Sequence, residues 1–217
     1  MTKIAITSAI VMLLLALVSC TYGSARLDVV IENALGKPDS HTLAVAVNYR
    51  RVQDPTGLSA FPDGGSLVEL EHRARVYLID VDTQSIKLVA DIGEVKEIPR
   101  PTGVWIQGWR DGVIYFSVRG YGVKSRSGDN VANIRRVNYR VYEGQAPEQM
   151  GDFPVDLVSA NNSGPLGKPP FLRLSKGHNE IDIGIDERPD RSNVTYQLTI
   201  DEPSGEPRLH AFSRAKL

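Results

Sequence analysis

The residues of this chain with chemistry to offer are four histidines, one cysteine and a few closely spaced acids. His41, His72, His178 and His210 are far apart, and no cysteine or acid stands near them at the spacing a zinc site uses. Asp80-Val81-Asp82 and Asp182-Ile183-Gly184-Ile185-Asp186 bring carboxylates close together. A calcium loop needs several oxygens around a sharp glycine turn, whereas both groups sit where strand alternation puts the acids on one solvent face. Gly-x-Ser-x-Gly, a phosphate-binding glycine loop and His-Glu-x-x-His are all missing. Ser127-Gly128, Ser163-Gly164 and Ser204-Gly205 are accounted for as turns. Asn161-Asn162-Ser163 and Asn193-Val194-Thr195 fit the glycosylation acceptor pattern of a eukaryotic secretory pathway and otherwise mark exposed loops. No nucleophile, base and metal ligand converge, so the chain is expected to be non-catalytic and to need no cofactor or metal.

Binding residues are better represented. Arg126, Arg135, Arg136 and Arg140, with Lys124, bracket a polar loop in the middle third, and Tyr115, Tyr121, Tyr139 and Tyr142 lie in the same stretch. Tyrosine and arginine are the types that interfaces favour. With Asp129 partly offsetting it, the basic cluster reads first as a solvated loop; if any region binds, this set is the expected interaction surface, facing anionic lipid or an acidic partner. The whole chain carries 25 Lys and Arg against 26 Asp and Glu, a formal net charge of −1, which excludes a strongly basic nucleic-acid binder.

The cysteine is positioned by what precedes it. Lys3 is followed by the apolar run from Ala9 to Val18 and then by Ser19-Cys20. A cationic start, a short apolar core and a small residue make secretory-signal architecture, and the run is far shorter than the roughly 20 residues a spanning helix needs. Leu17-Val18-Ser19-Cys20 resembles the lipobox of bacterial lipoproteins. The resemblance implies cleavage after Ser19, diacylation of the Cys20 sulfur and usually a third acyl chain on the new N-terminus; an ordinary signal peptide is the alternative. One acyl chain alone binds reversibly, at about 0.8 kcal/mol per buried methylene, and two or three anchor firmly. Thr21 stands where many inner-membrane lipoproteins carry Asp, so the class rule implies sorting to the outer membrane, facing the periplasm. With Cys20 the sole cysteine, the fold uses no disulfide.

The elements that must carry these residues read as strands. Nineteen glycines and thirteen prolines punctuate runs rich in Val, Ile, Tyr and Thr. After a signal (1–19) and a lipidated tether (20–26), a single all-β domain is expected over 27–217. Strands are expected at 27–31, 42–50, 74–81, 86–90, 104–109, 113–119, 136–142, 148–153, 171–174, 181–185, 194–200 and 207–212. Only 66–72 carries weak helical spacing. Asp111-Gly112 between alternating apolar runs is a strong hairpin signal.

These strands fall into three four-stranded antiparallel units, approximately 27–99, 100–160 and 161–217, with Tyr77, Tyr139 and Tyr196 at matching places. The middle unit, with Trp105, Trp109-Arg110-Asp111-Gly112 and Ile114-Tyr115-Phe116-Ser117, resembles a blade of the TolB-type β-propellers. The resemblance implies a propeller-like arc; a β-sandwich is the alternative. Three blades do not close, so self-association as three plus three, or a protein partner, is expected to cover the open side. The expected function is a lipid-anchored interaction or scaffold module of the cell envelope, with the membrane and a protein as partners. The alternative is a lipoprotein binding carbohydrate or peptidoglycan fragments, which requires Trp105 or Trp109 exposed in a concave pocket.

Overall fold

Alternating apolar and polar residues become strand at every place the sequence marks. The computed structural model describes residues 22–38, 40–55, 68–121, 134–157, 171–186 and 194–212. The signal-like segment, Cys20, Thr21, Lys124 and Arg126 lie outside them. Twelve strands and no helix occur among the described residues: β1 (Tyr22–Gly36), β2 (Thr42–Pro55), β3 (Val68–Asp80), β4 (Ser85–Ile92), β5 (Arg100–Arg110), β6 (Val113–Tyr121), β7 (Ile134–Val141), β8 (Glu148–Met150), β9 (Phe171–Lys176), β10 (Glu180–Asp186), β11 (Val194–Ile200) and β12 (Pro207–Phe212). They form three four-stranded sheets, each built from strands consecutive in the chain: β1 to β4, β5 to β8 and β9 to β12.

Some strand bounds differ from their sequence reading: the strand expected over 148–153 stops at Met150, and the chain bends at Gly151 and Asp152. The described part of the stretch with helical spacing, from Val68 on, belongs to β3; a single turn without a cap or a second turn does not nucleate a helix. β1 begins at Tyr22, so residues expected as tether belong to a strand.

The chain divides into two compact units, Met1–Asp28 with Arg50–Glu71, and Val29–Tyr49 with His72–Leu217. In the first, Arg26 pairs with Asp54 at 3.0 Å, Arg50 pairs with Asp28 and, at 3.5 Å, with Glu69, and Gln53 donates to the Gly23 carbonyl at 2.6 Å. All that follows concerns the second unit.

There, the sheet of β1 to β4 presents four alanines, Ala44, Ala46, Ala74 and Ala90, beside Val76, Val89 and Ile92, to the large residues of the middle sheet, among them Ile106, Trp109, Phe116, Val118 and Tyr139. Small against large lets the two faces close without voids. Side chains stitch the same contact. The Asn33 amide exchanges two hydrogen bonds with the backbone of Ile106, both 3.0 Å, taking the place of a neighbouring strand for β5. Asn48 donates to the Thr102 carbonyl at 2.9 Å.

The other face of β2 is covered too. Leu43, Val45 and Val47 have no exposure, and Tyr49, next in the alternation, donates its hydroxyl proton to the Gly205 carbonyl at 2.9 Å, in the turn between β11 and β12. The last sheet contributes Ile181, Ile183, Leu198 and Ile200, all buried. The Ile31 amide donates to the His178 carbonyl at 2.8 Å. The first sheet in the chain thus lies between the other two, and Leu43–Val47 reads as an unbroken apolar run because both of its faces are buried.

Two glycines in the middle sheet are obligatory. The β5–β6 turn has φ of 51° at Asp111 and 77° at Gly112, the left-handed pair a type I′ hairpin requires. A Cβ on Gly120 would lie 2.1 Å from the Arg100 carbonyl oxygen and 2.1 Å from Cγ2 of Ile98. Only glycine lets the chain entering β5 cross β6 there.

Candidate interaction face

In the middle sheet, cross-strand partners share a face, so the register names the outward residues. Arg119 lies opposite Gly103 on β5 and opposite Arg136 on β7; one row on, Tyr121 lies between Arg100 and Ile134; on the other side, Ser117 lies between Trp105 and Asn138. The opposite side of the sheet holds Phe116, Val118 and Val137, which are core. The outward side is open at Ile134, 66 % exposed, Tyr121, 46 %, and Trp105, 43 %, and closed at Ser117, which has no exposure.

The charges are arranged unusually. Arg119 and Arg136 are direct cross-strand neighbours, and like charges so placed repel. Among the described residues neither they nor Arg100 form an ion pair within 4 Å. Arg136 instead lies over the Phe153 ring at 5.4 Å. Arg140, two rows further, is neutralised by Glu148 at 2.9 Å, which holds its guanidinium pKa above the ordinary value. Glu32 interacts electrostatically with Arg119, and its Oε1 occupies space beside Gly103, 3.7 Å from where a Cβ would stand. Burial pushes the Glu32 carboxyl pKa up, while Lys176 and Arg119 draw it down.

The expected interaction surface is thus regrouped. Arg135 and Arg136 are exposed, and Tyr121 and Tyr142 are exposed at 46 % and 40 %. Tyr139 and Tyr115 are buried, a correction to the sequence reading. Tyr139 points into the core and stacks on Phe116 with ring centroids 5.3 Å apart, and that burial raises its hydroxyl pKa. Tyr115 faces outward but is covered edge-on by Phe153 at 6.4 Å. Arg126 lies outside the described residues. Trp105, Arg119, Arg100 and Ile134 enter in place of the buried tyrosines. Alternation of β6 could have shown that Arg119 and Tyr121 share a side; their pairing with β7 needed the register.

The two tryptophans separate. Trp109 is 4 % exposed, donates to the Leu35 carbonyl at 3.4 Å and has Lys37 Nζ 6.0 Å from its ring. It lines a cleft of about 140 Å³ with Asp80, Lys87 and Glu143, smaller than the roughly 300 Å³ at which ligand pockets begin. Trp105 is open, on the outward side of the middle sheet.

No group of three or more His, Cys, Asp or Glu among the described residues is placed to hold a metal ion. His41 Nδ1 lies 2.6 Å from Asp82 Oδ1, and its Nε2 is buried, so this pair joins the β1–β2 and β3–β4 turns. His72 is buried, whereas His178 and His210 are exposed. No family model, curated protein or solved structure matches this chain.

Proposed function

We propose that the chain is a lipid-anchored, non-catalytic interaction module of the bacterial cell envelope, held through Cys20 at the outer membrane and facing the periplasm, with its three sheets set as a propeller-like arc. The observation that carries the interaction reading is the outward side of the middle sheet, where Trp105, Tyr121 and Ile134 are exposed beside the opposed Arg119 and Arg136. Exposed aromatics with arginine are the composition of binding hot spots. The lipobox-like Leu17-Val18-Ser19-Cys20 supports the anchor. The small-against-large closure of the first two sheets, and the position of the first sheet between the others, support the arc.

A photo-crosslinking residue in place of Trp105, introduced in cells, tests this directly. Discrete crosslinked species and palmitate incorporation are expected in the wild-type background. Cys20→Ser should abolish the lipid label and, by releasing the protein from its site, the crosslinks. Lipid label persisting in Cys20→Ser, or a soluble cytosolic product with its leader intact, would refute the anchor; absence of any crosslink from position 105 would refute the interaction role. The exposed Trp105 indole favours a second reading, a platform for a sugar ring. Peptidoglycan fragments that quench Trp105 fluorescence and leave a Trp105→Phe variant unchanged would select it.

A further inference from the structure

Among the described residues the proposed interaction face has an open backbone edge beside it, and the two together specify a kind of partner. β8 covers only Asn138, Tyr139 and Arg140 of β7. On that side Ile134, Arg135, Arg136 and Val137 have no strand partner among the described residues. The path of the chain explains the gap. Asn138 Nδ2 holds the Gly151 carbonyl at 2.6 Å, the backbone bends at Gly151 and Asp152, and Phe153 then packs on Tyr115 and under Arg136. The segment is thereby drawn off the edge and over the outward side.

We propose that this edge takes an extended acidic polypeptide segment as an added strand, a deepening of the interaction reading that rests on it. Four residues of open edge accommodate about 14 Å of strand. Residues of the added strand opposite Ile134 and Arg136 share the outward side with them. An acid there meets Arg136 directly and Arg119 one strand further in, and relieves the repulsion between these two guanidiniums. An apolar residue one row on meets Ile134 and Tyr121. Strand addition draws affinity from main-chain hydrogen bonds and specificity from alternate side chains, and both are provided here.

An anionic membrane would satisfy the arginines but offers no hydrogen-bonding groups at strand spacing, so the open edge favours a polypeptide. The chain's own residues 158–170 contain no acid and three prolines, which fits them poorly for the role.

The test uses the purified full-length chain and fluorescence anisotropy with a labelled seven-residue peptide alternating Glu and Val. Saturable binding is expected, and it should weaken as salt rises. A peptide alternating Lys and Val should not bind, nor should the Glu-Val peptide carrying N-methyl groups on alternate amides, which keeps its charge and loses strand pairing. The double variant Arg119→Glu/Arg136→Glu should weaken binding by at least about tenfold. Because the N-methylated peptide leaves the protein untouched, the result does not depend on that variant folding. Equal binding of the N-methylated peptide, or no binding of the Glu-Val peptide beside tight binding to phosphatidylglycerol vesicles, would overturn the proposal. Failure here leaves the Cys20 anchor and Trp105 crosslinks standing, and failure of the anchor leaves peptide binding in solution unchanged.

Discussion

Tyr49→Phe isolates one of the contacts that tie the last sheet to the first. The Tyr49 hydroxyl donates to the Gly205 carbonyl at 2.9 Å, so its 2.8 Å contact with Tyr77 has Tyr77 as donor. Both are buried, Tyr49 at 4 % exposure and Tyr77 at 5 %. Burial and the Tyr77 contact push the Tyr49 pKa far up, so the group is a neutral phenol throughout the working range. Removing one oxygen therefore deletes the neutral hydrogen bond with Tyr77, worth ~1 kcal/mol, and strands the buried Gly205 carbonyl at a cost of ~1–3 kcal/mol. The ring and its contact with the Arg75 guanidinium, 4.5 Å away, remain. The expected loss is about 2–4 kcal/mol, a fall in Tm of roughly 5–12 °C for a chain of this size. Urea unfolding followed by tryptophan fluorescence should show a lower midpoint at unchanged slope, and hydrogen exchange should accelerate first in the β11–β12 turn. Tyr77→Phe should cost less, because Gly205 keeps its donor, and the double variant should show coupling of about 0.5–1.5 kcal/mol. A Tyr49→Phe protein within about 0.5 kcal/mol of wild type, or strict additivity with Tyr77→Phe, would refute the reasoning.

Glu32, whose carboxyl pKa burial raises above its ordinary 4.5, binds its proton more tightly folded than unfolded. Stability should therefore fall as pH rises from about 4.5 through the folded value, and Glu32→Gln should flatten that slope and be at least as stable as wild type at neutral pH; urea midpoints between pH 4 and 8 check this. Gly120→Ala places a methyl 2.1 Å from the Arg100 carbonyl and should cost about 3 kcal/mol by thermal unfolding. Adding Ile98→Ala should not rescue it, because the backbone oxygen stays. Phe116→Ala removes a side chain with no exposure that stacks on Tyr139 and should cost about 3–5 kcal/mol in urea unfolding.

The strands were legible because period two persists through nearly every one of them, and the β5–β6 turn because Asp111-Gly112 supplies the only conformation that closes it. Alternation says which residues share a side, not which layer lies beyond. The stacking order was for that reason largely hidden, although the unbroken apolar run Leu43–Val47 did carry the sign of a strand covered twice. The proposed interaction face was half legible. Its arginines and tyrosines lie in the stretch the sequence marked, but Tyr115 is sealed by Phe153, whose path depends on the bend at Gly151, and Arg119 meets Arg136 only through a register that spans an intervening loop. The exchange between Asn33 and Ile106 left no trace in the sequence, since an asparagine replacing a strand looks like any polar residue in one.

Because the sheet made first is the one that ends up in the centre, synthesis and assembly run out of step. When β4 leaves the ribosome, both sides of the nascent sheet are oily and neither cover exists. The middle sheet arrives next and shields the alanine side, while Leu43, Val45 and Val47 wait until Leu198 and Ile200 have been made. A chain halted near residue 160 would be left with one greasy flank, the kind of surface that chaperones grip and proteases find.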